Sequence, residues 1–159
     1  MVSLDILRLA AVAVATVLQE HGVHPNSVPK VRWEFDFDAG GGTKGCYFKN
    51  RSFRGSAVVL MMYPGISNSD LFMVAVHELA HHLSCSRPLL RAMLRRYVSE
   101  VTEEDERALV ERYPQEQWEE ERRVRGFSNY CSRRFSSDIA HCASFGLSRE
   151  HELVAACLV

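Results

Sequence analysis

The sequence lacks several things, and each shortage removes a class of protein. No stretch of its 159 residues approaches the ~20 unbroken apolar residues that a membrane-spanning helix requires. No charge sign dominates: 19 Lys and Arg stand against 20 Asp and Glu, for a formal net charge of −1. That balance gives no strong nucleic-acid signal and argues against an acidic polyanion mimic. Cysteines are few and odd in number: of the five, Cys46, Cys85, Cys131, Cys142 and Cys157, no two form a C-x-x-C pair. A secreted disulfide framework normally shows an even count at tight spacing, so reduced thiols in a cytoplasmic protein are expected. Residues 4–18 are nearly all apolar, but Asp5 and Arg8 cancel, so the positive flank of a secretion signal is missing. That segment reads as a packing helix ended by His21-Gly22. No internal repeat or low-complexity tract occurs.

What remains is a chain of ordinary globular make-up, 47% hydrophobic and 25% charged, long enough for one domain over residues 1–159. In residues 31–38, VRWEFDFD, apolar and polar side chains alternate with the period of a half-buried strand. A Gly-rich run over 39–45 follows. It lacks the Gly-Lys-Ser/Thr ending of a phosphate loop, so a hairpin turn leading to a partner strand at residues 46–49 is expected. Residues 57–63, AVVLMMY, read as a third, more buried strand closed by Pro64-Gly65. Ser67 or Ser69 then caps a helix over residues 71–84, and Arg87-Pro88 interrupts it. Residues 88–97 form a second helix. Residues 101–125 are dense in charge and read as solvated helix surface, split by Pro114. Ser136 or Ser137 caps a helix through Phe145 with Gly146 past its end, and Ser148 caps a last one. That last helix is still apolar at Val159, so a native chain continuing past this point is expected.

One pattern carries chemistry: His77-Glu78-Leu79-Ala80-His81 is H-E-x-x-H. Residues four apart share a helix face, so His77 and His81 can aim imidazole nitrogens at one ion. Glu78 stands beside that face, where a general base is placed in such motifs. With seven His and fourteen Glu in the chain, chance would produce the pattern in roughly one such sequence in forty. The surroundings sharpen it. Leu71, Phe72, Met73, Val74, Ala75, Val76, Leu79, Ala80 and Leu83 make the helix apolar on nearly every side, the mark of a buried helix. Burying His77, Glu78, His81 and His82 unpaired would cost several kcal/mol, and a bound cation removes that cost. Zn²⁺ is the expected ion.

At these residues the chain resembles the zincin metallopeptidases. VHELAHHL at residues 76–83 is similar to their active-site helix, and the order alternating strand, Gly-rich turn, buried strand, helix resembles small gluzincin-type and SprT-like domains. The resemblance covers about residues 28–84. It implies an α+β fold: a small twisted sheet packed on the buried motif helix, with helices at both ends of the chain. It implies that residues 57–63 form the edge that pairs with an extended peptide. It implies zinc-dependent hydrolysis of peptide bonds in a peptide or protein substrate, with Glu78 as general base.

The third ligand stays open. Position 84 is Ser and position 87 is Arg, so the metzincin spacing fails. Residues 130–143 resemble a gluzincin segment in which Asp138 would replace the ligand Glu, with His141 one turn on. Residues 150–152 offer Glu150, His151 and Glu152. Asp138 ranks first, His151 second, then His141, Glu152 and Glu150. His82 points about 100° from the ligand face and is expected to bond a backbone carbonyl rather than a reacting oxygen. Tyr97 and Tyr130 are the phenols considered as oxyanion donors. Two other readings remain: a catalytically inactive zincin-like binding or regulatory module, and, by SprT resemblance alone, a DNA-associated protease.

Overall fold

The structure, a computed structural model, describes residues 3–36, 45–52, 55–61 and 66–159. Helix α1 (Leu4–Glu20) begins where Ser3 Oγ accepts from the Ile6 N–H, and ends at His21 with Gly22 at φ 74°. Eleven of its residues are buried, among them Ile6, Leu7, Val14 and Leu18. It is the packing helix that its apolar run predicts.

Three strands follow: β1 (Arg32–Asp36), β2 (Gly45–Ser52) and β3 (Gly55–Met61). The sheet order is β1-β3-β2, with β3 parallel to β1 and antiparallel to β2. This corrects two expectations. Residues 46–49 do not pair with β1: β2 pairs antiparallel with β3 instead, and β3 begins at Gly55, whose φ of 88° suits a residue without a Cβ. The expected Gly-rich turn lies outside the described residues, apart from Gly45. Nor does β3 offer an edge. Its Ala57–Met61 backbone faces β1 on one side, and Gly45–Phe48 of β2 cover the other. Residues 62–63 of the expected edge lie outside the described residues.

Helix α2 (Asn68–Ser86) is capped by Ser67, whose Oγ accepts from the Asp70 N–H at 3.0 Å. Helix α3 (Pro88–Leu94) follows, Pro88 supplying the preset φ of a first helical residue. A 3₁₀ turn over Arg95–Glu100 leads to α4 (Glu103–Arg112), whose Thr102–Asp105 capping box satisfies two terminal N–H groups. Then come α5 (Trp118–Arg134), α6 (Ser136–Phe145) and α7 (Arg149–Ala155). Ser148 caps α7 as expected, whereas Ser136 lies inside α6 and Phe135 occupies the cap position without a side-chain bond.

The result is α+β, mostly helical, with a three-stranded mixed sheet. Buried residues of α1, α2, α3, α5, α6, α7 and the sheet share one core. Among the described residues no helix is long and apolar enough to cross a membrane. Among the described residues no cysteine forms a disulfide.

Two close approaches fix α2 and α5. A Cβ on Gly126 would lie 2.1 Å from the Tyr97 carbonyl oxygen, so α5 seats against the 3₁₀ turn only because residue 126 has no side chain. A Cβ on Gly45 would lie 2.8 Å from Val74 Cγ1 and 3.0 Å from Glu78 Cγ, so the start of β2 rests directly on the motif turn of α2.

Candidate metal centre

The motif helix is buried as its composition predicts: Leu71, Phe72, Ala75, Val76, Leu79, Ala80 and Leu83 are all within the core. His77 and Glu78 are 9% and 7% exposed. The four-residue spacing brings the His77 and His81 rings to a centroid separation of 5.0 Å, edge to face.

Helix α5 supplies what faces them. Glu121, Val124, Ser128 and Cys131 are buried, spaced three, four and three residues apart, so they form one helical stripe. Glu121 heads that stripe and turns its carboxylate toward α2. Its Oε2 lies 3.4 Å from His77 Nε2 and its Oε1 lies 3.3 Å from His81 Nε2. One ligand atom from each of His77, His81 and Glu121 fits within 4.8 Å of the others, the arrangement in which these three could hold a metal ion.

The donor set could hold a metal ion. Both contacts exceed the ~2.9 Å mode of an N–H···O hydrogen bond. Each runs to a different Glu121 oxygen, and each is of the size, roughly 3.3–3.4 Å, that separates neighbouring ligands of a tetrahedral ion held at ~2.0–2.1 Å. Two neutral imidazole nitrogens and a carboxylate are also the ligand chemistry of catalytic zinc. The ring behind His81 is held as ligating histidines usually are: His81 Nδ1 lies 3.2 Å from Glu120 Oε1. Glu120 Oε2 in turn accepts from Ser84 Oγ at 2.7 Å and from Arg123 at 2.8 Å. Consecutive glutamates thus address the two nitrogens of one imidazole. The Nδ1 of His77 is buried and has no partner among the described residues.

The electrostatics follow from this crowding of carboxylates. Burial alone would lower the pKa of His81, but hydrogen bonds to Glu120 and Glu121 and the charge of Glu78 outweigh it and hold the ring protonated up to about 10 when no cation is bound. Burial opposes ionisation of Glu120 and Glu121, yet their bonds to the histidines bring each carboxyl down to about 2. Glu78 goes the other way: burial raises its pKa, and the neighbouring histidines only partly offset it.

The expected third ligands lie elsewhere. Asp138 is exposed in the first turn of α6, because Ile139 and Cys142 form that helix's buried stripe and Asp138 points off it. His141 is exposed too, and its ring packs on Phe145 at 4.8 Å. Glu150 and Glu152 are exposed on α7, where Glu152 faces Arg8 at 3.9 Å, and His151 is half-buried in its first turn. Among the described residues it is Glu121, rather than Asp138, that lies beside both imidazoles and could hold a metal ion with them. It was hidden in a run of charge read as solvated surface, although its spacing to Val124, Ser128 and Cys131 marks it as inward-facing.

His82 does bond a backbone carbonyl: Nε2 donates to Pro29 O at 2.6 Å, leaving Nδ1 to accept from the Tyr47 hydroxyl at 3.0 Å. Burial lowers its pKa, which suits the neutral ring those bonds require. It ties α2 to β2 and to the approach of β1. Tyr97 and Tyr130 have hydroxyls committed elsewhere, the first to His21 Nε2 at 2.7 Å and the second to Arg134 at 3.2 Å. Set against protein-family models, curated proteins and solved structures, the chain matches none of them.

Proposed function

We propose that the protein is a zinc-dependent hydrolase of peptide bonds, with His77, His81 and Glu121 holding the ion and Glu78 acting as general base. The observation that carries this reading is the convergence of Glu121 on both imidazole Nε2 atoms at 3.3 and 3.4 Å, with the buried Glu78 next to His77 in the chain. A bound zinc ion supplies Lewis-acid activation of water and of the scissile carbonyl. Glu78 takes the proton of the attacking water, whose oxygen bonds to the carbonyl carbon. The C–N bond then breaks, and Glu78 passes the proton to the departing amine nitrogen. The upward push that burial gives the Glu78 carboxyl favours a group that must accept and return a proton near neutral pH.

The zincin likeness supports the same reading with its geometry adjusted. The strand that meets Glu78 is β2, whose Gly45 lies against Glu78 Cγ and Oε1 and which is an outer strand of the described sheet. An extended substrate would pair there rather than on β3, through backbone hydrogen bonds.

Glu78→Gln should retain stoichiometric zinc by mass spectrometry and lose hydrolysis of a casein or peptide-library substrate, while His77→Ala should lose the metal. Wild-type behaviour in both variants sinks the proposal. A second reading has its own observation. His81 between Glu120 and Glu121 is satisfied as an ion pair without any cation, which suits a zincin-like binding or regulatory module. Absence of zinc from the purified protein, with no hydrolysis after zinc is added, would select it.

A further inference from the structure

Beside Glu121, on the side away from the imidazoles, a cavity of about 30 Å³ opens between α4 and α5, walled by Asp105, Leu109, Arg112, Tyr113, Glu121 and Arg125. Roughly 10–15 Å³ is enough for one water, so the cavity admits a group of two or so oxygen-sized atoms but no large side chain. Its carboxylates are already engaged. Asp105 accepts from the Thr102 N–H and from Asn129 Nδ2 at 2.8 Å, and Glu121 faces the histidines. Its cations are not. Arg125 has one ion-pair contact, Nε to Asp105 Oδ1 at 3.9 Å, and no hydrogen bond from its guanidinium among the described residues. Among those residues Arg112 makes no ion pair, and the Tyr113 hydroxyl makes no hydrogen bond.

The geometry points to a carboxylate-binding subsite here: Arg125, assisted by Arg112 and Tyr113, receives a carboxylate of the peptide whose bond is cleaved at the neighbouring centre. A guanidinium fork matches a carboxylate in two parallel N–H···O bonds, and a phenol adds a third donor. The cavity borders the reaction site, since Glu121 lines the one and faces both imidazoles of the other. Once a cation neutralises Glu121, two guanidiniums face Asp105 alone, and the cavity carries a surplus positive charge. The substrate class that follows is peptides bearing an acidic side chain near the cleaved bond, or ending there in a free carboxylate.

This inference rests on the hydrolase reading for its substrate, and its test separates the two. Three fluorescent octapeptides of otherwise equal sequence serve as probes: one with an internal glutamate and an amidated end, one neutral inside with a free carboxylate end, and one neutral and amidated. Binding is read by anisotropy on zinc-loaded Glu78→Gln protein and on metal-free wild type, with zinc content measured in parallel. At least one carboxylate-bearing peptide should bind about tenfold tighter than the neutral amide, the scale of a charged hydrogen bond. Which peptide does so identifies a side-chain or a terminal carboxylate. Arg125→Met should erase the preference with zinc content unchanged, and Arg112→Met should reduce it. Equal binding of all three peptides, or a preference that survives Arg125→Met, overturns the subsite while leaving the metal centre standing. If Arg125→Met does not fold, an unchanged preference in both Arg125→Lys and Arg112→Met overturns it. A chain that takes up no zinc but still prefers the carboxylate loses the hydrolase reading and keeps the subsite.

Discussion

Between α2 and α5, His77, His81, Glu120 and Glu121 face one another across a buried seam. On α6 and α7, Asp138, His141, Glu150, His151 and Glu152 offer the same ligand chemistry and do not converge. Both regions have the residue types and the helical spacing of a metal site. The difference is which stripe of the helix carries them. In α5 the carboxylate lies on the stripe that packs inward, in line with Val124, Ser128 and Cys131. In α6 the packing stripe is Ile139 and Cys142, and the polar residues flank it. Ligand chemistry converges where core packing also orders it. Packing restricts side-chain freedom before the ion arrives, and it removes the water that would otherwise compete for the donors.

The comparison is tested most severely at Glu121. Glu121→Ala should weaken zinc binding more than about 100-fold, beyond the ~10–100-fold range of an outer-shell partner. Competition against a chelator of known affinity measures this, and retention of wild-type affinity would return the third-ligand role to α6 or α7. Glu120→Gln comes next. It keeps a group able to bond His81 Nδ1 but loses the charge that also engages Arg123, so zinc affinity should fall about 10–100-fold with the fold intact. An undiminished affinity would mean that the ring needs no support from behind.

A pH series tests whether the seam takes up the proposed ion. In the metal-free protein the folded-state pKa of His81, about 10, lies above its ordinary value of 6.5. Its contribution to stability is therefore fully present below ~6.5 and is lost as pH rises toward 10. Zinc needs the neutral ring, so its apparent affinity should climb by up to about tenfold per pH unit across the same window. Urea unfolding from pH 6 to 10 should show the metal-free midpoint falling and the gap between zinc-loaded and metal-free protein widening. Parallel curves would show that proton and metal do not compete for His81.

The two regions also explain what the sequence could and could not disclose. His77, Glu78 and His81 are readable because their relation is local: a spacing of four inside one helix, framed by Leu71, Phe72, Ala75, Val76 and Leu79. The caps at Ser67 and Ser148 are readable for the same reason, each settled within three residues. Glu121 is forty residues from His81, and no local rule connects them. Two further glutamates directly before it make the segment look solvated, and only the stripe it shares with Val124, Ser128 and Cys131 gives it away. The strand order fails to show for a related reason. The alternation in β1 identifies a strand but not its neighbour, and β1 pairs in parallel with β3 across more than twenty residues, skipping β2. Pairing of that kind is decided by how the sheet seats on α2, where Gly45 admits β2 against Glu78.

The smallest expected effect sharpens the comparison from its other side. Asp138→Asn and His151→Ala, singly or together, should change zinc affinity less than twofold and stability by less than about 0.5 kcal/mol, the ordinary range of surface substitutions. Asp138 stands exposed in the first turn of α6, and only its favourable place near the helix N-terminus is lost with its charge, a few tenths of a kcal/mol. His151 contributes its backbone N–H to the Ser148 cap, and that bond survives removal of the ring. A loss of metal in the double variant would show that the C-terminal helices reach the centre when an ion is bound. The seam would then be one half of the ligand sphere, and burial on a packing stripe would cease to be what distinguishes the two regions.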